Sequence, residues 1–149
     1  MDEYLYHQSV HKDFHGILGL IFDYLRDNYG EKELARIFKN IAKEIYSPLI
    51  KDIKEKGLSA AEDHLKKVMD LENGKYDVKW DDGTLVFKVT KCPAIHHIKD
   101  KGQNISENYC RITTELVTGV ISEEAGYKFS VDYNQDKGTC TQKFWKEDK

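Results

Sequence analysis

The chain has no Cys-x-x-Cys pair and no even complement of cysteines; its three, Cys92, Cys110 and Cys140, stand far apart. That excludes the disulfide framework that staples small secreted domains and leaves reduced thiols or metal ligands. A basic stripe or arm is also missing. The 23 Lys and Arg against 26 Asp and Glu give a net charge of −3 spread through mixed-sign segments, so no phosphate-tracking surface and no nucleic-acid partner is expected. No apolar run approaches a membrane span, since the longest uncharged stretch near the N-terminus, Phe14 to Phe22, is too short. Met1-Asp2-Glu3-Tyr4 lacks the basic and apolar regions of a signal peptide, and the expectation is a soluble, cytoplasmic protein. Phosphate loops, the Rossmann fingerprint and the Gly-x-Ser-x-Gly elbow are absent, and Asp81-Asp82-Gly83 offers too few spaced oxygens for calcium. With no repeat, low-complexity tract or linker, residues 1–149 read as one domain large enough to bury a core without staples.

What is present is a change of period. Asp2 can cap a helix to about residue 28, with Phe14, Ile17, Leu18, Ile21, Phe22 and Leu25 at helical spacing and Gly30 as its stop. A second pattern runs over about 31–56 with Leu34, Ile37, Phe38, Ile41 and Ile45 on one face, kinked or restarted at Pro48. Ser59-Ala60-Ala61-Glu62 reads as a capping box opening a helix over about 59–73, stopped at Asn73-Gly74. Then alternation takes over. Tyr76, Val78 and Trp80 alternate with charges, Asp81-Asp82-Gly83 turns the chain, and Leu85, Phe87 and Val89 return it, predicting strands near 75–81 and 84–91. After Pro93 and a short irregular stretch, a helix is expected over about 106–124 with Ser106 as its cap, then strands near 127–134 and 139–146.

Three helices followed by a β-β-α-β-β unit predict an α+β domain with helices packed on a four-stranded twisted sheet. Phe14, Leu18, Ile21, Phe22, Leu34, Ile37, Ile41, Val89, Ile112 and Leu116 are its expected core. In helix 1, Gly16 and Gly19 would admit another backbone or a ligand at close range.

The same order places the cysteines. Cys92 closes the second strand, and a right-handed crossover through the helix to a parallel strand at Tyr127 to Asn134 would start that helix, and Cys110, at the same end. The last hairpin turns at Gln135 to Gly138 and returns Cys140 there, so all three cysteines are expected to meet at one sheet edge. Thiolates are zinc ligands and nucleophiles, and a helix N-terminus favours the anion, which would serve Cys110 most. Singly, a free cysteine is more often a small buried hydrophobe.

His7, His11 and His15 form a second cluster at i, i+4 steps, though the His-Glu-x-x-His pattern is absent. His11 and His15 are candidate metal ligands or proton carriers on a pocket wall, while His7 reads as exposed near a fraying end. His96 and His97 follow Cys92 closely, and one of them could act as base to its thiolate, His96 being the candidate. Asp132 is a lesser carboxylate candidate, more simply a solvated strand position.

From Val86 onward, Phe87-x-Val89-x-x-Cys92-Pro93, Gly102, Cys110 in a helix and Gly138-x-Cys140-x-x-x-Phe144 resemble the L-2-amino-thiazoline-4-carboxylic acid hydrolase family. More distantly, Cys110 and Cys140 resemble positions in 4-vinyl reductase domains, which share a ligand-binding fold with nitric-oxide sensors and Golgi-tethering subunits. The first resemblance implies hydrolytic opening of a cyclic C–N bond, thiazoline or amidine-like, with Cys92 as nucleophile or ligand and Cys110 and Cys140 completing the site. The second implies a non-catalytic binding or sensor domain with zinc, or another transition metal, held by cysteines. A small-molecule ligand or substrate is the expected partner under both, and a homodimer is left open. The histidine stripe belongs to neither pattern.

Overall fold

The structure, a computed structural model, describes residues 11–148; the expected helical start at Asp2 and the position of His7 lie outside them. Helix α1, Phe14–Tyr29, ends at Gly30, whose φ of 89° suits glycine. Helices α2, Glu31–Ile45, and α3, Ser47–Lys56, break at Tyr46. The restart follows from Pro48, which is tolerated in a first helical turn and not in an interior. Helix α4, Leu58–Leu71, begins one residue before the expected capping box, and that box does not form. Ser59 instead donates to the Lys56 carbonyl, and Glu62 is taken by Trp80 and Lys66.

Strands β1, Lys75–Asp81, and β2, Thr84–Lys91, pair antiparallel around Asp82-Gly83. Both turn residues have positive φ, as a two-residue hairpin with the twist of its strands requires. Pro93 does more than stop β2. It opens helix α5, Pro93–Asp100, where an irregular stretch is expected from sequence. Its fixed φ and missing N–H suit that position. After a connection, the chain is helical from Tyr109, passes through a π-helical segment, Arg111–Leu116, and continues as α6, Val117–Glu124. Ser106 caps this start: its hydroxyl accepts from the Asn108 N–H at 3.1 Å and donates to Asp23 at 2.5 Å. Strands β3, Lys128–Asn134, and β4, Thr139–Trp145, complete the sheet.

The fold is α+β, with a four-stranded sheet of order β1-β2-β4-β3 whose neighbours are all antiparallel. The order differs from a direct crossover: β3 runs the same way as β2, but β4 lies between them. On the face covered by α4 and α6, β4 sets three cross-strand rows: Phe129–Phe144–Leu85, Val131–Gln142–Phe87 and Tyr133–Cys140–Val89. The cysteine row is therefore at the end of the two central strands, not at an edge.

Two cores result. One fills the space between the sheet and α3, α4 and α6, with Leu85, Phe87 and Phe144 at its centre. The other joins α1, α2, α5 and the π-helical segment through Phe22, Leu34, Ile95, Ile98 and Ile112. Cys92 and Val117 pack against both. The expected core holds for Phe22, Leu34, Val89 and Ile112, and in part for Leu18, Ile37 and Leu116. It fails for Phe14 (41% exposed), Ile21 (41%) and Ile41 (38%). Helix α1 buries the face of His15, Gly19 and Phe22, rotated from the one that hydrophobicity alone selects. Its glycines serve packing: a Cβ at Gly16 would strike the Gln103 side chain at 2.4 Å, and Gly19 lies against Ser106 and Tyr109.

Gly138 locks the sheet end. Its carbonyl accepts from the Cys92 N–H at 2.8 Å, its φ is 65°, and an added Cβ would lie 3.0 Å from the His96 ring. Replacing Gly138 with Ala should cost about 1–3 kcal/mol, from left-handed strain and crowding together. Urea unfolding at unchanged m-value measures this.

Candidate functional site

The three cysteines, all unpaired, gather where β2 ends, β4 begins and the last helix starts. Cys92 is tied to the β3–β4 turn through Gly138, and Cys140 lies opposite Val89. Cys110 donates its N–H to Gln135 Oε1 at 3.1 Å, while Gln135 Nε2 donates to the Ser106 carbonyl at 2.9 Å. One glutamine thus fastens the final turn to the helix start. The thiols feel one another's charge: ionising Cys92 or Cys140 would oppose ionising Cys110.

Burial governs their chemistry. It is the largest cause at all three, pushing Cys110 up to about 12 and Cys140 to about 11, and raising Cys92. The helix-terminus effect expected at Cys110 does not lower that thiol. It falls on Cys92, where the amides of Ile95 and Ala94 at the start of α5 favour the thiolate without overcoming burial. At Cys140, a weak hydrogen bond from Gln142 Nε2 at 3.7 Å plays the same minor part.

Beside the thiols lies a hydrogen-bonded chain with only its histidine foreseeable from sequence. His15 is buried (7% exposed); its Nε2 is 2.6 Å from Glu72 Oε1 and its Nδ1 2.8 Å from the Tyr109 hydroxyl. Burial raises the Tyr109 phenol well above its ordinary range, with the charges of Cys92, Glu72 and Cys110 adding to the effect. A carboxylate only accepts, so in the neutral ring Nε2–H faces Glu72 and Nδ1 accepts from the protonated Tyr109. Glu72 also influences Cys92, which places carboxylate, phenol and thiol in one field.

Glu72 ends α4, where the helix dipole disfavours a negative charge, and that misplacement is the one sequence signal it gave. Lys12 donates to its carbonyl at 2.5 Å. Tyr109 was legible only as the neighbour of Cys110. Gln142 and Asn108 went unseen as well: both are buried, and Gln142 Oε1 and Asn108 Nδ2 have no protein partner. Gln142 stands in the middle inner row of the sheet, where an apolar residue would ordinarily pack.

The remaining candidates separate from this group. His11 precedes α1, is exposed, and does not share a helical face with His15. His96 Nδ1 donates to the Cys92 carbonyl at 2.9 Å, so its anchored proton points at backbone rather than thiol. His97 binds Asp13 at 2.9 Å, and that hydrogen bond is the main reason the exposed carboxyl sits below its usual range. Asp132 is an exposed strand residue opposite Thr141. Among the described residues, no three His, Cys, Asp or Glu side chains are grouped as a ready metal site. None of the described helices is long and apolar enough to cross a membrane.

No protein-family model matches the chain, and a search of curated proteins finds no match.

Proposed function

We propose that the chain is a small-molecule hydrolase that opens a cyclic C–N bond, thiazoline or amidine-like, where half-buried Cys92, Cys110 and Cys140 meet buried His15, Glu72, Tyr109 and Gln142. The observation that carries this reading is the Glu72–His15–Tyr109 chain set against three thiols. The substrate class rests on the resemblance of the segment from Val86 onward.

A resting thiol held neutral by burial needs a base when substrate arrives. As the Cys92 proton moves to the Tyr109 oxygen, Tyr109 passes its own proton to His15 Nδ1 in the same step, so no phenolate forms, and the Glu72 carboxylate stabilises the imidazolium. The Cys92 sulfur adds to the ring carbon between the heteroatoms. The C–N bond breaks, its electron pair stays on nitrogen, and the His15 proton returns through Tyr109 to that nitrogen. Water then displaces the sulfur from carbon and restores the thiol, so the net change is addition of one water across the C–N bond. Among the thiols, Cys92 is favoured as nucleophile because helix amides support its anion. Gln142 Oε1, an acceptor without a donor, suits a ring or exocyclic N–H. The histidine role passes from His96 to His15, because the His96 Nδ1 proton is committed to a carbonyl.

Ring opening of 2-aminothiazoline-4-carboxylate, followed chromatographically, tests the proposal. Turnover is expected in the unaltered protein, with a loss of about 10²-fold in Tyr109→Phe, the usual worth of a positioned proton carrier. Absence of turnover in the unaltered protein, with and without added zinc, would refute it.

A second reading, a non-catalytic ligand-binding domain with zinc, is favoured by the mutual charge sensitivity of the three thiols. As placed, the three sulfurs are not grouped as a ready metal site, so a soft cation would have to draw them together, and its charge would then reverse the burial effect and hold them as thiolates. Stoichiometric zinc that is lost in Cys110→Ser and Cys140→Ser, without turnover, would establish that reading instead.

A further inference from the structure

Between α3, α4 and the last helix lies a cavity system apart from the thiol group. An inner chamber of about 80 Å³ is walled by Leu49, Ile53, Ala61, Leu65, Val117 and Ile121, with Thr113 and Thr118 from the π-helical segment and α6. A cleft of about 500 Å³ adjoins it on the outside, and the two share Tyr46, Leu49 and His64. The Tyr46 and His64 rings meet edge to face, centroids 6.2 Å apart, at the junction. We propose that this chamber and cleft bind a small uncharged molecule, its short alkyl end in the chamber and its polar end between the Tyr46 and His64 rings and the cleft.

Size and chemistry select that class. Liquid water occupies about 30 Å³ per molecule, so the chamber matches two or three waters, the size of a xenon atom or a short alkyl group. A chamber with this lining gains little from holding water and more from an apolar occupant. The mouth carries Lys56 and Lys67 against Asp52 and Asp63, a balance of zero, and Lys56 is already paired with Asp52 at 3.2 Å. No net field there compensates a ligand's charge. Burial, aided by Lys67, lowers the His64 pKa, so its imidazole is neutral at neutral pH and presents hydrogen-bonding nitrogens without charge. A π-helical stretch in the wall agrees, since such irregularities collect at functional sites.

The test is methyl NMR of Leu49, Ile53, Leu65, Val117 and Ile121 in the full chain, titrated with xenon and with 1-butanol. Saturable shifts are expected from both, with butyrate and butylammonium binding at least ~10-fold more weakly because an ion loses hydration on entry while the mouth has no net charge of opposite sign to offset it. Ala61→Leu, which fills the chamber, should abolish the shifts. Thr118→Val, nearly isosteric, and Cys92→Ser, outside the chamber, should retain them. If Ala61→Leu does not fold, Leu65→Phe supplies the filled chamber. Non-saturable shifts in the unaltered protein, binding of butyrate or butylammonium as tight as that of 1-butanol, or shifts that survive in a folded filled variant would each overturn the proposal.

Discussion

Replacing His15 with Leu is expected to destabilise the protein by about 3–5 kcal/mol, because it strands the Glu72 carboxylate in a buried position with its hydrogen bond gone. Both side chains are more than nine-tenths buried and 2.6 Å apart, so solvent cannot take over the lost contact as it would at an exposed pair. The phenol of Tyr109 loses its partner in the same change. Removing both partners in the His15→Leu, Glu72→Leu double variant should recover much of the loss, since two apolar groups need no compensation in that setting. Urea denaturation of the four proteins gives the coupling directly. A single His15→Leu variant within about 1 kcal/mol of the unaltered protein would mean that the chain is not formed as described.

The second large effect concerns thiol reactivity. A move of the Cys110 thiol from its ordinary 9.0 to about 12 lowers its thiolate fraction near pH 8 roughly a thousandfold. Iodoacetamide should therefore label Cys110 about 10³-fold more slowly in the folded protein than in urea, with Cys140 also slow. The same shifts fix a pH dependence of stability. Below pH 9 both states keep these protons; above it the unfolded chain loses them first, so stability falls as pH rises toward about 11 for Cys140 and 12 for Cys110, and then levels. A Cys110→Ser, Cys140→Ser variant should lose less stability over that window. Rapid native labelling of Cys110 would place its thiol in water and contradict the burial argument.

How far the chain could be read depended on the range of each interaction. The strands were legible because alternation in Tyr76, Val78 and Trp80 and in Leu85, Phe87 and Val89 is local, and Asp82-Gly83 names its own turn. The break before Pro48 followed from the missing N–H of one residue. Pro93 was ambiguous on the same physics, since it ends a strand and begins a helix equally well, and only the packing of Ile95 and Ile98 decides. The rotated face of α1 was hidden because a polar His15 outranks Phe14 and Ile21 for the interior once its partners are known. Those partners are 57 and 94 residues away, beyond any periodicity. Likewise the gathering of the cysteines was inferable from hairpin geometry, while the strand order and the shifted helix-terminus effect at Cys92 required the assembled sheet.

The proposed site joins the thiols and the Glu72–His15–Tyr109 chain around a small cyclic C–N compound. It is tested most directly by titrating protein carrying ¹³Cβ-labelled cysteines and ¹⁵N-labelled histidines with 2-aminothiazoline-4-carboxylate. Cys92, Cys110, Cys140 and His15 resonances are expected to shift together, with one saturation curve, while His64 does not follow them. Shifts confined to His64 or to surface residues, with the cysteine and His15 signals unmoved at saturation, would contradict it.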